Sequence, residues 1–236
     1  MKFTALSAAF ALISCAYAQD NDPAQNGTTN PWNHPYLVSI FDGKTLTGWT
    51  PSDDGMYAVK DDSIWSTGKA RGWIYYNKPV DTFRWIFTLR QIAATKGTHP
   101  PCVLYWGDPA SKDALAGLQF EPPQAGVWDY RKGKNKYPVN KVINKPKNAD
   151  RKVWNQCEVI ANATTGLASM ACCAVVAGAT KPCIAQEIVQ INEPTAARLG
   201  VIALQAHNAG LQDEYKDIYL EYPVVHKPGK FITTGP

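Results

Sequence analysis

Several features are missing from this sequence of 236 residues, and each absence removes a class of protein. After residue 18 there is no apolar run of about 20 residues, the length that a membrane-spanning helix needs. No segment repeats apolar residues at the spacing of an amphipathic helix, and no longer unit recurs along the chain. The formal net charge of +4 is too small to indicate a nucleic-acid partner.

Familiar catalytic motifs are also missing. The sequence has no glycine-rich phosphate loop, no nucleophile elbow around a serine and no HExxH helix. It lacks the Glu-x-Asp-x-x-Glu pattern of glucanases, and retaining glycoside hydrolysis needs two carboxyl groups about 5 Å apart. No CxxC pair and no close His–Cys spacing indicates a cysteine metal site. Conventional glucanase chemistry is therefore disfavoured, along with phosphoryl transfer and serine hydrolysis.

The start of the chain predicts secretion. Lys2 gives a short positive region, residues 3–14 an apolar run and residues 16–18 a small-residue cleavage site. Residues 1–18 therefore have the form of a signal peptide, and we expect an extracellular mature chain that begins at Gln19.

Two sequons accompany this prediction. They lie at Asn26 and Asn162, both in polar, turn-like sequence where a glycan can be accommodated at the surface. We expect N-glycosylation at both asparagines.

Strand patterns fill residues 36–222. In residues 83–90 one face of the predicted strand carries only aromatic and aliphatic side chains, and the other face carries two arginines, a threonine and an isoleucine. This is the pattern of a half-buried strand. Similar short runs recur at roughly ten- to fifteen-residue intervals between Gly, Pro, Asn and Asp, the spacing of a sandwich or jelly roll. We therefore expect one all-β sandwich over residues 36–222, a flexible polar leader over 19–35 and a C-terminal tail over 223–236.

The cysteines predict disulfides. Five remain after cleavage, enough for two bridges and one free thiol: Cys102, Cys157, Cys172, Cys173 and Cys183. A hairpin that pairs Asn162 with Leu167 places Cys157 directly opposite Cys172, within bridging distance. A register slip of one residue would bring Cys173 opposite Cys157 instead, so both pairings stay open.

Polar side chains occupy one face of two predicted strands. Side chains alternate along a strand, so Gln205 and His207 point one way while Leu204 points the other. Gln119 and Glu121 share a face in the same manner. If both faces line one sheet, a carboxylate, an imidazole and two amides converge on a surface that suits a polar ligand.

Motifs at both ends of the predicted sandwich resemble a known family. They are FDGKTLTGW at residues 41–49, GVIALQAHN at 200–208 and YKDIYL at 215–220, with weaker agreement between them. The chain resembles the 3-keto-disaccharide hydrolase family, also described as 3-keto-glucoside lyase/hydratase domains. The resemblance implies a concanavalin A-like jelly-roll β-sandwich of two antiparallel sheets whose concave face binds carbohydrate. It also implies action on oxidised glycosides, and a divalent metal is one cofactor that it allows.

Elimination from a 3-keto sugar gives the polar residues possible roles. The reaction needs a base for the acidified proton at C2 and a group that protonates or polarises the leaving oxygen. His207 and Glu121 are residue types that perform these tasks near neutral pH, with Gln205 and Gln119 as substrate-binding partners. Trp106 and Trp128 are expected to stack on an apolar sugar face. The structural alternatives are a histidine that braces a loop and an exposed carboxylate at a sheet edge.

A basic segment follows these strands. Residues 130–152 carry nine Lys and Arg residues against the single acid Asp150. A solvated loop explains this composition, and contact with an acidic polysaccharide is the functional alternative. Arg131 is the predicted substrate-binding residue within the segment.

Three other carboxylates are weaker candidates. Asp213 and Glu214 precede the last strand, where they could ligate a metal or pair with Lys216. Asp42 is expected to cap the turn at Gly43 through its side chain.

Two functions of different classes follow from the sequence. The first is a secreted hydrolase or lyase that acts on keto-glycosides or a related glycan. The second is a non-catalytic protein that binds carbohydrate or associates with a cell wall. Both have a glycoside or polysaccharide as the partner. A secreted protein that targets another organism's proteins is a third, weaker possibility.

Overall fold

The computed structural model describes residues 30–94, 99–145, 149–225, 227 and 229–235. Over these residues the chain is all-β, with two antiparallel sheets that confirm the predicted fold class. A short 3-10 turn lies at Ala114–Ala116. None of the described residues forms a helix long and apolar enough to cross a membrane.

One sheet has nine strands and the other six. The larger sheet has the order β10-β13-β12-β11-β6-β15-β4-β3, with β1 also paired to β15, and the smaller one has the order β2-β5-β14-β7-β8-β9. The strands are β1 (Val38–Ser39), β2 (Trp49–Pro51), β3 (Tyr57–Lys60), β4 (Ser63–Ser66), β5 (Gly72–Tyr76), β6 (Phe83–Ala94), β7 (Cys102–Gly107), β8 (Leu118–Glu121), β9 (Gly126–Asp129), β10 (Asn140–Val142), β11 (Asn155–Asn162), β12 (Leu167–Ala174), β13 (Gln186–Asn192), β14 (Val201–Ala206) and β15 (Leu211–Glu221).

The core lies between the two sheets. Alternate residues of β6 face inward, and Phe83, Trp85, Phe87 and Leu89 are fully buried there, as the sequence pattern predicts. The six-stranded sheet supplies the opposing layer, which includes Val103, Tyr105, Phe120, Ile202 and Leu204. Burial of each such side chain contributes about 1.5 to 3 kcal/mol.

Two tyrosine hydroxyls connect the sheets across this core. The hydroxyl of Tyr57 donates to the carbonyl of Leu204 at 3.0 Å and accepts from the amide of Ala206 at 2.9 Å. The hydroxyl of Tyr215 donates to the carbonyl of Cys102 at 3.3 Å. Because buried backbone groups need partners, these contacts hold the ends of β14 and β7 in place.

Two disulfides brace the larger sheet. The β11–β12 hairpin pairs Asn162 with Leu167 and Cys157 with Cys172, and a disulfide joins these two cysteines across a Cα separation of 4.2 Å. The predicted register is therefore the correct one. Cys173 joins Cys183 in the second disulfide, and the thiol left free is the buried Cys102.

The glycosylation predictions stay untested. At the hairpin tip the Asn162 side-chain oxygen accepts from the amides of Thr164 and Thr165 at 2.9 and 3.1 Å. Asn26, the predicted signal peptide and its cleavage site lie outside the described residues.

A buried ion cluster holds both ends of the described chain on the outer face of the larger sheet. Arg84 is fully buried, donates to Glu158 at 2.8 Å and also pairs with Glu221. Its guanidinium donates to the carbonyls of Lys227 and Lys230, while Glu158 accepts from the backbone amide and hydroxyl of Thr233. The predicted tail is thus bound to the sheet here.

The end of the predicted flexible leader is also folded. Asn30 and His34 are buried, and the Asn30 side chain hydrogen bonds with the backbone of His34 in both directions. The imidazole of His34 lies 3.6 Å from Glu221. The leader prediction is therefore wrong for residues 30–35, because the charged cluster offers them buried partners.

Replacement of Arg84 by methionine should destabilise the fold strongly. Two carboxylates would remain buried without their cation, which typically costs about 3 to 5 kcal/mol. Arg71→Met is the control, because its ion pair with Asp113 is exposed and should contribute at most about 1 kcal/mol. Urea unfolding of both variants tests this, and equal free energies of unfolding for the two would contradict it.

Candidate functional site

Strand register brings the two predicted polar faces onto one surface. Gln205 on β14 lies opposite Trp73 on β5 and Cys102 on β7. Gln119 on β8 lies opposite Leu104 on β7 and Trp128 on β9. Since Ile202, Leu204, Leu118 and Phe120 face the core, the alternate residues lie on the outer face of the six-stranded sheet. We call this surface the polar face.

A second histidine connects His207 with Glu121. The rings of His99 and His207 stack with centroids 3.5 Å apart and planes 3° from parallel. On its other side, Nε2 of His99 lies 3.6 Å from Oε1 of Glu121. The imidazole and the carboxylate that the sequence singles out therefore belong to one cluster, with His99 between them.

Hydrogen bonds orient the carboxylate. Nε2 of Gln119 donates to Oε1 of Glu121 at 2.9 Å, and the hydroxyl of Tyr130 donates to Oε1 of Gln119 at 3.0 Å. Because both the nitrogen and the oxygen of the Gln119 amide have hydrogen-bond partners, the orientation of this amide is fixed. One oxygen of Glu121 is held by this network while the side chain keeps 20% exposure.

The two titratable predicted residues have pKa values shifted in opposite directions. Burial, with a contribution from the charge of His99, lowers the pKa of His207 to about 4. Burial raises the pKa of Glu121, although His99 and Gln119 oppose the shift. At neutral pH His207 is thus an uncharged imidazole, and the protonated form of Glu121 is more accessible than for a carboxyl group in water.

The tautomer of His207 follows from its neighbour. Nδ1 of His207 lies 3.1 Å from the side-chain oxygen of Asn208. An amide oxygen accepts hydrogen bonds, so Nδ1 carries the hydrogen and Nε2 keeps its lone pair. The neutral ring is therefore prepared to accept a proton at Nε2.

Gln205 stands out because it is fully buried and neither atom of its side-chain amide completes a hydrogen bond. It lies near Tyr130, whose hydroxyl pKa is raised by burial. The guanidinium of Arg71 covers the Tyr130 ring at 5.3 Å. An unsatisfied buried amide costs about 1 to 3 kcal/mol, and both amide atoms of Gln205 are shielded from solvent.

Two predicted substrate-binding residues do not belong to the polar face. Trp106 is 1% exposed, packs in the core and donates its indole N–H to the carbonyl of Asp81 at 2.7 Å. The guanidinium of Arg131 is bound by Asp129 and Glu193 at 2.7 and 3.0 Å. A ring that packs in the core cannot stack on a sugar. A guanidinium that forms ion pairs with two carboxylates of its own chain stabilises the fold. Both predictions are therefore corrected.

The other aromatic candidate, Trp128, lies on the polar face. Trp128 is half-buried on the polar face, directly across from Gln119, and its ring meets that of Tyr137 edge-on at 4.9 Å. Its indole N–H donates to the side-chain oxygen of Asn135 at 2.9 Å.

The weaker carboxylate candidates have structural partners. Glu214 accepts from Nε of Arg90 at 2.6 Å rather than pairing with Lys216. Asp42 caps its turn as expected, accepting from the amides of Lys44 and Thr45 at 2.8 and 2.7 Å. Asp213 is buried and accepts from the Gln91 amide at 2.9 Å.

The polar face does not fit a metal ion as it is arranged. Among the described residues no group of three or more His, Cys, Asp or Glu side chains could hold a metal. A metal lies in the plane of each imidazole that binds it, and the planes of His99 and His207 are parallel and stacked. The two rings therefore cannot direct lone pairs at one ion.

Sequence reasoning missed His99 and Tyr130. His99 stands beside two prolines just before β7, and only tertiary contact places its ring over His207. Tyr130 follows Trp128 by two residues, so continuing the alternation of β9 would have placed both on the same face.

Two facing antiparallel sheets in this order define an all-β sandwich of the concanavalin A-like jelly-roll class. The chain belongs to the 3-keto-alpha-glucoside-1,2-lyase-like domain family, whose sequence model matches residues 37–221. The predicted resemblance is thereby confirmed. A comparison with curated protein sequences gives no match.

Solved structures share the fold at low sequence identity. A protein of Parabacteroides distasonis provisionally named a glycosyl hydrolase is 13% identical, with a TM-score of 0.52 over 78% of this chain and 98% of its own. The exoplasmic/lumenal domain of VIP36, bound to Ca2+ and Man3GlcNAc, is 12% identical, with a TM-score of 0.52 over 84% and 95%. Basic winged bean lectin with Tn-antigen is 12% identical, with a TM-score of 0.51 over 78% and 96%.

Asp213 should make stability depend on pH. Burial raises its pKa to about 7 from a value of 3.8. Between these values the folded protein holds a proton that the unfolded chain releases, so stability falls as pH rises through this range. Asp213→Asn removes the titration, so its stability relative to the wild type should increase from about pH 4.5 to about pH 8. Urea unfolding at both pH values tests this, and a constant difference would count against a proton on Asp213.

Proposed function

We propose that this protein acts on oxidised glycosides at the polar face and breaks the glycosidic bond by elimination. The observation that carries the proposal is the contact of His207 with His99 and of His99 with Glu121. Membership in the 3-keto-alpha-glucoside-1,2-lyase-like family supports the choice of substrate. Titratable groups whose pKa values are perturbed by burial, and which lie in one cluster, are typical of acid–base sites.

In the proposed reaction a ketone at C3 acidifies the proton at C2. Nε2 of the neutral His207 takes this proton, and the electrons of the C2–H bond form a double bond between C1 and C2. The bond between C1 and the glycosidic oxygen breaks, and protonated Glu121 gives its proton to that oxygen. The products are an unsaturated keto-sugar and the free alcohol, and water returns the two side chains to their starting states.

His99 positions both reacting groups. Its ring lies flat against His207, and its Nε2 lies on the Glu121 side. The backbone carbonyl of His99 accepts from the side-chain amide of Gln91 at 3.0 Å, which ties this residue to β6. Removal of His99 would take away the partner of both groups at once.

Substrate recognition is assigned to the neutral polar groups and the aromatic ring beside them. Gln205 has an unused donor and an unused acceptor, which would meet sugar hydroxyls once the substrate displaces the side chains that cover it. Trp128 offers an aromatic surface for the apolar side of a sugar ring. Gln119 acts chiefly by holding Glu121.

A non-catalytic carbohydrate-binding role is the second candidate. One observation favours it: His99 covers one side of the His207 ring, and two surface depressions lined by other residues contain none of this cluster. A shallow polar surface with an aromatic ring can bind glycans without reacting with them.

We further propose that the protein works outside the cell. Its two disulfides support an oxidising compartment, since such bonds persist in secreted proteins and are reduced in the cytosol. The predicted signal peptide over residues 1–18 supports the same location.

Turnover of an aryl 3-keto-glucoside tests the catalytic proposal. His207→Ala and Glu121→Gln should each lower kcat by roughly 100-fold or more, the usual contribution of a positioned acid or base. Glu187→Gln is the matched control, because Glu187 lies on β13 of the other sheet. No turnover by the wild type, together with glycan binding that survives both substitutions, would establish the binding role instead.

A further inference from the structure

A basic turn directly follows the aromatic residue of the polar face. After β9 the chain turns over residues 130–136 and returns to form a bridge between Asp129 and Lys136. The turn presents Lys132, Lys134 and Lys136, all exposed, beside the ring of Tyr137, which is 69% exposed. We call Trp128, Tyr137 and these three lysines the basic ledge.

The basic ledge is held in a defined shape. The amide of Asp129 donates to the carbonyl of Lys136 at 2.9 Å, and the amide of Lys136 donates back at 3.3 Å. Arg131 anchors the base of the turn through Asp129 and Glu193. The hydrogen bond from the Trp128 indole to Asn135 ties the turn to the sheet. A preformed surface loses little entropy when it binds a ligand.

The positive charge of the ledge is not neutralised from within. Its three lysines make no ion pair with the described residues, and the neighbouring acids Asp129 and Glu193 are both bound to Arg131. Arg131, which sequence reasoning assigned to the ligand, neutralises one of these two carboxylate charges, so the three lysines, Arg131, Asp129 and Glu193 together keep a net charge of +2. Clustered positive charge of this kind attracts polyanions.

The ledge continues the polar face. Trp128 belongs to both, because it lies directly opposite Gln119, the residue that holds Glu121. A sugar chain that entered the polar face at Glu121 would therefore pass Trp128 and reach Tyr137. Aromatic rings pack against the apolar sides of sugar rings, and the lysines of the same turn match charged substituents.

We propose that the basic ledge binds the flanking units of a polysaccharide whose sugars carry carboxylates, so that the glycoside broken at the polar face belongs to an acidic glycan. The proposal rests on the proposed function for the identity of the neighbouring site. A sugar chain is favoured over nucleic acid because the lysines adjoin a site suited to sugar hydroxyls and the net charge of the whole chain is only +4.

Binding of polygalacturonate to the secreted, full-length protein tests the ledge, with neutral dextran of equal length and duplex DNA as comparison ligands. Replacement of Lys132, Lys134 and Lys136 by glutamine should weaken polygalacturonate binding by roughly tenfold or more, and added salt should weaken it in the wild type. The same change at three exposed lysines elsewhere, Lys44, Lys78 and Lys181, is the matched control and should have little effect.

Tyr137→Ala separates stacking from simple charge attraction. It should weaken polygalacturonate binding while DNA binding stays unchanged. Equal loss in the ledge and control lysine variants, or DNA bound as tightly as polygalacturonate, would overturn the proposal. Turnover of an uncharged aryl 3-keto-glucoside should be unaffected in all these variants, so loss of the ledge can be distinguished from failure of the polar face.

Discussion

The register of β14 between β5 and β7 is the constraint on which the site depends. Ile202, Leu204 and Ala206 must face the core, so Gln205 is forced onto the outer face. A slip of one residue would bury the amide among the aromatic rings of the core and move Leu204 to the outer face. The hydroxyl of Tyr57 opposes such a slip, because it binds the backbone of both Leu204 and Ala206 from the other sheet. The core and the polar face are therefore two consequences of one alignment.

The two sheets use buried polar groups on their outer faces differently. On the larger sheet Arg84 binds two carboxylates and two backbone carbonyls, and the ends of the described chain are fixed by this cluster. On the smaller sheet Gln205 is just as buried and its amide atoms complete no hydrogen bond. Both arrangements remove polar groups from water, which is unfavourable unless partners replace it. The larger sheet has these partners within the chain, whereas Gln205 on the smaller sheet is left without them.

Local sequence pattern was sufficient where strands alternate regularly. It predicted the inward rings of β6, the Cys157–Cys172 register and the shared face of Gln119 and Glu121. It failed at Trp106, where φ is 52° and the β7–β14 pairing shifts register, so alternation no longer tells which way a side chain points. It also failed at Arg131, whose partner Glu193 is distant in sequence. Contacts of that kind leave no local pattern.

The opposite pKa shifts of His207 and Glu121 bear on the choice between catalysis and binding. Both shifts arise chiefly from burial, which disfavours the charged form of each group. A neutral imidazole beside a carboxyl group with a raised pKa supports the proposed elimination, whereas sugar hydroxyls bind well to amides and charged carboxylates alike. An elimination needs this combination, an empty acceptor on one side and an available proton on the other. His99 holds the two groups in one cluster, and the contact between the stacked imidazoles supports the proposed acid–base chemistry.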